Sequence, residues 1–150
     1  MYNASVLTRK MQAQTQTAKG ELLYEIKGNR ASWTIKEANS NGIKMEMNDE
    51  GTVNGKYNAN FIETIAIHMK TDGTSEWQGR GIQTAGQDMI VATGKGKGRT
   101  SSPGVTSWEG EMHFMTQSPK LSWLNNTKGW IEGTANMADN NFTAKVYAKK

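Results

Sequence analysis

The sequence predicts an all-β protein, a single antiparallel meander of short strands that closes into a barrel of about eight strands. Three observations predict it. Turn signals recur every eight to fifteen residues, the segments between them alternate apolar and polar side chains, and no segment shows a helical apolar period. A meander of this length leaves two strand edges exposed, and closure into a barrel removes them.

The turn signals are mostly Asn-Gly, Asp-Gly and related pairs, which supply the positive φ that tight hairpin turns need. They are Gly28-Asn29, Asn41-Gly42, Asp49-Glu50-Gly51, Asn54-Gly55, Asp72-Gly73, Ala85-Gly86, Pro103-Gly104, Asn125-Asn126 and Asp139-Asn140-Asn141. They divide the chain into eight to ten strands.

Length and composition suit one small domain. A chain of 150 residues buries roughly 70% of its unfolded surface in one core. An apolar fraction of 35% with sixteen glycines favours a thin, curved β wall over a thick helical core. We assign residues 19–150 to the barrel and residues 1–18 to a polar N-terminal arm, for which a short helix is the alternative.

Cysteine is absent, so disulfides and thiolate chemistry are excluded. The first twenty residues contain no apolar segment typical of a signal peptide, and no run is long enough to span a bilayer. These features predict a soluble cytoplasmic protein without a membrane partner. The net charge of +4 is too small to favour a nucleic-acid partner. A protein that binds single-stranded nucleic acid remains an alternative, because tryptophans beside cations can stack on its bases.

The predicted strands show clear alternation. Leu22, Tyr24 and Ile26 are expected on one face of the first strand, with Leu23, Glu25 and Lys27 on the other. Similar alternation follows Ile43, Met45 and Met47, and later Phe142, Ala144 and Val146.

The stretch VATGKGKGRTSSPG, residues 91–104, is the only glycine–cation run. As a strand it places Lys95, Lys97 and Arg99 on one face, and Ala92, Gly94, Gly96 and Gly98 on the other. A phosphate loop needs a hydroxyl residue after the G-K pair and a helix behind it, and the sequence offers neither. The strand is the better interpretation, with glycines that make room inside the barrel.

Tryptophans mark a faint repeat. Glu76-Trp77-Gln78-Gly79 recurs as Ser107-Trp108-Glu109-Gly110, thirty-one residues later, and Gly129-Trp130-Ile131-Glu132-Gly133 is a looser third copy. Large residues next to glycines suit the interior of a small barrel, either filled or hollow. For any single tryptophan, core packing is the simpler interpretation and ligand stacking the alternative.

The segment FIETIAIHM, residues 61–69, is apolar on both faces. The other strands bury only one face, so the outer apolar face of this strand needs another element to cover it. We therefore expect a homo-oligomer that forms through this strand. An internal helix or the N-terminal arm would serve equally well.

Few residues suggest chemistry. Only His68 and His113 are histidines, no metal-ligand spacing is present, and no cofactor motif is found. Glu111 and His113 share a strand face and could form an acid/base pair, but a solvated outer face is the simpler interpretation. Glu132 either faces inward with Trp130, as a buried carboxylate of raised pKa, or lies outside while Ile131 and Gly133 face inward.

An ordered set of segments carries a family resemblance: WQGRG at 77–81, GKGKG at 94–98, WEG at 108–110, SPKLSWLNN at 118–126 and DNNFTAKVY at 139–147. Together they resemble uncharacterised prokaryotic calycin-like barrels of the allene oxide cyclase type, over residues 50–150. The resemblance implies an oligomeric eight-stranded barrel without an assigned activity. Allene oxide cyclases have an apolar cavity with an acidic, water-holding end, but no residue of this chain matches that end. The tryptophan-rich meander is also similar to streptavidin-like barrels.

We therefore predict a barrel that binds a small, largely apolar ligand, without a cofactor or metal. The candidate ligand-binding residues are Trp77, Trp108, Met112, Trp130 and Glu132, with Lys95 and Arg99 placed to meet an anionic group. One alternative is a cofactor-free isomerase or cyclase that uses Glu132 or the Glu111–His113 pair. The other is a filled barrel that acts only as an assembly module.

Overall fold

The computed structural model describes residues 19–101 and 104–150 and confirms the all-β prediction. Its strands are β1 (Lys19–Asn39), β2 (Gly42–Gly55), β3 (Asn58–Met69), β4 (Thr74–Ala85), β5 (Asp88–Ser101), β6 (Val105–Thr116), β7 (Lys128–Asn136) and β8 (Asn141–Lys149). Each strand pairs antiparallel with the next, and β8 pairs with β1 to close the barrel. A 3-10 helix, Pro119–Asn126, joins β6 to β7. The predicted N-terminal arm lies outside the described residues.

Two predicted turns are wrong because their glycines serve close packing inside strands. Gly28 lies within β1 and Gly51 within β2, directly opposite each other. A Cβ on Gly28 would collide with the ring of Phe142, and one on Gly51 would lie 2.9 Å from a ring carbon of Phe61. The real hairpin turns include Gly42, Gly73 and Gly86, which all have positive φ.

The start of β1 departs from the predicted alternation. Leu22 is exposed, whereas Leu23 and Tyr24 are both buried. The pairing of β1 with β8 shifts register between Leu22 and Tyr24. This β-bulge inserts an extra residue and moves Leu23 to the inner face.

The glycine–cation stretch is a strand, as predicted. Lys95, Lys97 and Arg99 are exposed on the outer face of β5, while the glycines between them face inward. The indole of Trp77 fills the space over these glycines. A Cβ on Gly94 would lie 3.2 Å from its ring, and one on Gly110 would lie 2.6 Å from it. The glycines therefore accommodate a large interior side chain rather than a phosphate.

The tryptophan repeat is confirmed for two of its three copies. Trp77 on β4 and Trp108 on β6 both face the interior, and Trp108 packs over Gly133. The third copy lies on β7, which is antiparallel to β6, so its residues run along the barrel in the opposite direction to those of the second copy. There the inner face carries Gly129, Ile131 and Gly133 instead.

The two ends of the barrel differ. The 3-10 helix closes one end, where Leu121 and Leu124 are buried and the Trp123 ring packs edge-on against Tyr57. The opposite end, which we call the open end, carries the turns at residues 40–41, 70–73 and 137–140. It is the entrance to the interior.

A long hairpin projects beyond the barrel wall at the open end. β1 has 21 residues, but it pairs with β8 only as far as Asn29–Asn141. Residues 31–39 of β1 and residues 42–48 of β2 continue past the end of β8, and we call this hairpin the flap. Its inner face carries Trp33, Ile35, Met45 and Met47, and its other side is continued by β3.

Candidate functional site

The barrel contains an interior cavity of about 330 Å³, large enough to hold a small organic ligand. Its lining is mainly apolar and includes Ile26, Phe61, Ile65, Trp77, Trp108 and Met112. All eight strands contribute residues to the lining, so the residues that meet there are far apart in the sequence. The cavity is a product of strand register.

Three charged or ionisable side chains on the inner faces interrupt this apolar wall: Arg30, Asp49 and Glu63. Arg80 also borders the cavity, but it is exposed on the outer face of β4. Arg30 Nε donates to Asp49 Oδ1 at 3.0 Å and its Nη2 donates to Oδ2 at 3.4 Å. The Asp49 side chain is only 1% exposed. This two-pronged, charge-assisted contact is the geometry that a guanidinium and a carboxylate prefer. The face of the Phe142 ring lies 5.9 Å from the guanidinium carbon.

Glu63 is directly opposite Asp49 across the β2–β3 pair. Burial, the neighbouring Asp49 charge and a hydrogen bond with Asp49 together raise the pKa of Glu63 to about 8, and Arg30 partly offsets them. At neutral pH Glu63 is therefore mostly protonated, beside an ionised Asp49–Arg30 pair. The Glu63 proton lies in the hydrogen bond to Asp49, and the cluster can exchange a proton near neutral pH.

Register and glycine positions place this cluster. The β1–β2 pairing puts Arg30 opposite Asp49, immediately before a β-bulge at residues 30–32. On the other side of Glu63, β4 contributes Gly81. A Cβ on Gly81 would lie 2.8 Å from the Cβ of Glu63, so only glycine leaves room there.

A second polar group lies toward the helical end of the barrel. Tyr57 Oη donates to Gln83 Oε1 at 2.5 Å, and Gln83 Nε2 donates to Tyr24 Oη at 3.2 Å. Burial raises the pKa of Tyr24 well above its usual value, so this phenol stays protonated. These partners satisfy the buried side chains and form a rigid floor below the cavity.

The structure brings three of the predicted ligand-binding residues together. Trp77, Trp108 and Met112 face inward and line the cavity. Trp77 Nε1 donates to the carbonyl of Lys97 at 3.3 Å, which fixes the indole across the wall. Their role in ligand binding stays a prediction.

The inward orientation considered for Trp130 and Glu132 is wrong. Both lie on the outer face of β7, where Trp130 Nε1 donates to Glu132 Oε1 at 3.3 Å and Lys19 Nζ lies 3.0 Å from Glu132 Oε2. The inner face of this strand carries Ile131 and Gly133, and Gly133 leaves room for the ring of Trp108. Neither residue lines the cavity.

Lys95 and Arg99 also lie outside, so they do not face a ligand in the cavity. Acidic residues on the neighbouring strands lie beside the outward cations of β5. Glu111 is opposite Lys95, and Glu76 and Glu109 flank Lys97. These cations are thus part of a mixed-charge outer surface rather than an anion site.

Glu111 and His113 lie on a solvated outer face, the interpretation that the sequence favoured over an acid/base pair. Both residues lie on the outer face of β6, and Glu111 forms an ion pair with Lys149. That contact holds the pKa of Glu111 below its usual value. His68 is likewise on an outer face, where its Nε2 is 3.3 Å from the carbonyl of Asn41.

Sequence reasoning missed the Arg30–Asp49–Glu63 cluster. Asp49 was interpreted as part of a turn, and Arg30 as a residue just after one. Glu63 carried a usable signal, because it is the one acid on a strand face otherwise occupied by Phe61, Ile65, Ile67 and Met69. A carboxyl group on such a face requires a buried polar partner.

Comparison with solved structures identifies similar barrels. A protein of unknown function from Clostridium acetobutylicum matches with a TM-score of 0.75 and 17% identity, covering 87% of this chain and 97% of that one. A β-barrel-like protein from Acinetobacter baumannii AYE matches at 0.71 and 19%, covering 87% and 94%. A conserved protein of unknown function from Rhodopseudomonas palustris matches at 0.74 and 11%, covering 87% and 96%.

These similarities establish the fold and extend no function to this chain. No protein-family model matches the sequence, and no curated protein matches it. The resemblance to the allene oxide cyclase type therefore stays a prediction. In the part of the chain that the structure describes, no helix is long and apolar enough to cross a membrane. The cytoplasmic location also stays a prediction.

Proposed function

We propose that this barrel binds a small, largely apolar molecule that carries one hydrogen-bond-accepting group, such as a carbonyl oxygen. The observation that supports this most strongly is the cavity of about 330 Å³, whose apolar wall is interrupted by Arg30, Asp49 and Glu63. Ligand pockets combine apolar walls with a few placed polar groups in this way. The walls provide most of the binding free energy, and the polar group fixes orientation.

Charge at the cluster selects the polar group of the ligand. Asp49 already occupies two donors of Arg30, and Glu63 is mostly protonated at neutral pH because its pKa is about 8. An anionic ligand would meet the Asp49 charge in an apolar environment, which is costly. A neutral acceptor avoids this repulsion and can accept the hydrogen bond of Glu63 in place of Asp49. We therefore expect ketones to bind more tightly than carboxylates of the same chain length.

Tryptophan fluorescence tests the proposal, because Trp77 and Trp108 line the cavity. We expect 2-octanone to change the emission in a saturable way and to bind more tightly than octanoate. Ala92→Leu should block binding because Ala92 is buried in the cavity wall. Ala66→Leu is the matched control, since Ala66 is exposed on the outer face of β3. Equal responses of the two variants would contradict a binding site in the barrel.

Glu63 also supports a second function, a cofactor-free isomerase that moves a proton within an unsaturated ketone. The ionised carboxyl of Glu63 would take the proton from the carbon next to the carbonyl, and the electron pair of that C–H bond would form an enolate. Glu63 would then return a proton to the far carbon of the conjugated system, and a proton held on Glu63 can exchange with solvent before it returns. A pKa of about 8 suits a group that must both accept and donate a proton near neutral pH. The Arg30 guanidinium would stabilise the enolate oxygen.

Hydrogen–deuterium exchange at the carbon next to the carbonyl of 2-octanone tests this second function. We expect the protein to accelerate exchange in deuterated buffer, and the rate to rise with pH and level off above about 8, as Glu63 ionises. Glu63→Gln should abolish the acceleration. Glu109→Gln, at an exposed outer position, should retain it. Exchange that Glu63→Gln leaves unchanged would show that Glu63 is not the base.

The homo-oligomer expected through the segment 61–69 stays a prediction, and it is the alternative to pairing through the β1 edge. Ile62 on the outer face of β3 is 62% exposed and lies opposite the partly exposed Ile82 of β4. This pair is the candidate contact on that strand.

A further inference from the structure

The flap has a strand edge that is unpaired within residues 19–101 and 104–150. On this side of β1, pairing with β8 ends at Asn29, and Arg30 N donates to the Asn140 carbonyl at 2.8 Å as the last contact. Beyond it, residues 31–39 pair only with β2, on their opposite side. This edge is about 30 Å long at the usual rise per residue. Unpaired edges of this length readily accept another strand.

The same stretch exposes large apolar side chains. Trp33 is 50% exposed and Ile35 is 63% exposed, and both lie on the inner face of the flap. Ile43, near the flap tip on β2, is 37% exposed. Contiguous apolar groups beside an open edge indicate contact with another protein surface.

The edge is complementary to a second copy of itself. Register shifts between Arg30 and Ser32 and between Ile35 and Glu37 leave residues 32–35 as the regular part of the edge. Antiparallel pairing centred on Thr34 places Trp33 opposite Ile35 of the other copy, twice, and the two Thr34 side chains opposite each other. Aromatic–β-branched pairs and Thr–Thr pairs are favourable cross-strand neighbours.

The two adjacent registers are worse. Centring on Trp33 would set Arg30 opposite Lys36 of the other copy, which are like charges. Centring on Ile35 would set Trp33 opposite Glu37. Pairing centred between two residues would set Trp33 opposite Thr34 of the other copy. That would place an inner side chain opposite an outer one, which sheet geometry does not allow.

We propose that two copies of this chain pair through the β1 edge of their flaps, antiparallel and centred on Thr34. A two-fold axis perpendicular to the sheet keeps both inner faces on the same side. Trp33 and Ile35 of each copy then continue the apolar wall at the mouth of the other barrel, so the entrance to each cavity is completed by the partner. This dimer does not depend on which ligand the barrel binds.

Charge substitution at Thr34 tests the dimer. Thr34 is exposed on the outer face of the single chain, so Thr34→Lys should fold normally. In the dimer it would place two lysines directly opposite each other. Thr84→Lys is the matched control, because Thr84 is exposed on β4 between two paired strands. Ile62→Lys tests the rival interface on β3. Light scattering after size-exclusion chromatography gives the mass of each variant, and far-UV circular dichroism confirms folding.

We expect a dimer for the wild type, Thr84→Lys and Ile62→Lys, and a monomer for Thr34→Lys. Mixing Thr34→Lys with Thr34→Glu should restore the dimer, because opposite charges then face each other, and this recovery also shows that the variants are folded. A monomeric wild type, with the edge covered by residues 1–18 or left bare, would overturn the proposal. So would an oligomer that Thr34→Lys leaves intact or that Ile62→Lys dissociates.

Discussion

At the scale of single residues, the decisive feature is a carboxyl group held in an apolar wall. Glu63 keeps its proton because burial and the Asp49 charge disfavour ionisation more than Arg30 favours it. Asp49 accepts two hydrogen bonds from Arg30. The raised pKa of Glu63 thus comes from contacts that connect three strands.

Glu63 should make the protein less stable as pH rises. Its folded-state pKa of about 8 lies above the ordinary value of 4.5, so the folded protein holds a proton that the unfolded chain releases in this window. The contribution of this group is fully favourable below about 4.5 and is lost progressively as pH rises to about 8. Glu63→Gln should remove this loss because its amide cannot ionise.

Thermal unfolding of the wild type and Glu63→Gln across this pH window measures the effect. The midpoint of the wild type should fall, relative to that of Glu63→Gln, as pH increases. Glu109→Gln, an exposed acid on β6, should follow the wild type. Parallel curves for the wild type and Glu63→Gln would show that Glu63 has no raised pKa.

At the scale of elements, glycines let the strands of a narrow barrel hold large side chains. On β5 and β6, Gly94 and Gly110 leave the space that Trp77 occupies. The alternation of Lys and Gly on β5 follows from this arrangement, with glycine inside and cations outside. The same spacing in the sequence could be taken for a phosphate loop, and the packing of Trp77 explains why it is not one.

Alanine substitutions on β5 and β6 test whether the inward glycines, rather than the outward lysines, determine stability. Gly94→Ala and Gly110→Ala should each lower the free energy of unfolding by roughly 1–3 kcal/mol, since a new Cβ would crowd Met112 or Trp77. Lys95→Ala, on the exposed outer face of β5, should change the free energy of unfolding by less than about 0.5 kcal/mol. Chemical denaturation measures all three. A larger loss in Lys95→Ala than in the glycine variants would contradict the strand packing.

The elements also show what the sequence could predict. Period-two alternation identified the inner faces of β4, β5, β6 and β8, because each face there differs clearly in polarity. It could not decide β7, whose two faces carry Trp130 and Ile131 respectively, because both faces contain apolar residues. It also failed at Leu22 and Leu23, where a bulge changes the register without any sequence signal of its own.

At the scale of the whole molecule, the barrel is closed at one end and open at the other. The 3-10 helix and the Tyr24–Gln83–Tyr57 group close the first end, and the flap extends one wall at the second. Closure of eight strands was predictable because a meander must remove its edges. The cluster at Arg30, Asp49 and Glu63 was not, since it depends on the register of β1, β2 and β3, which turn positions alone do not determine.

The binding of a small neutral ligand inside the barrel is tested most directly by NMR titration of ¹⁵N-labelled protein with 2-octanone. The tryptophan indole N–H signals provide internal controls, because Trp77 and Trp108 line the cavity and Trp130 lies on the outer face. We predict saturable shifts at the indoles of Trp77 and Trp108 and at the amides of Gly79, Gly81 and Gly94, with Trp130 unchanged. Shifts confined to Trp130, or no saturable shift at the cavity signals, would contradict a ligand-binding barrel.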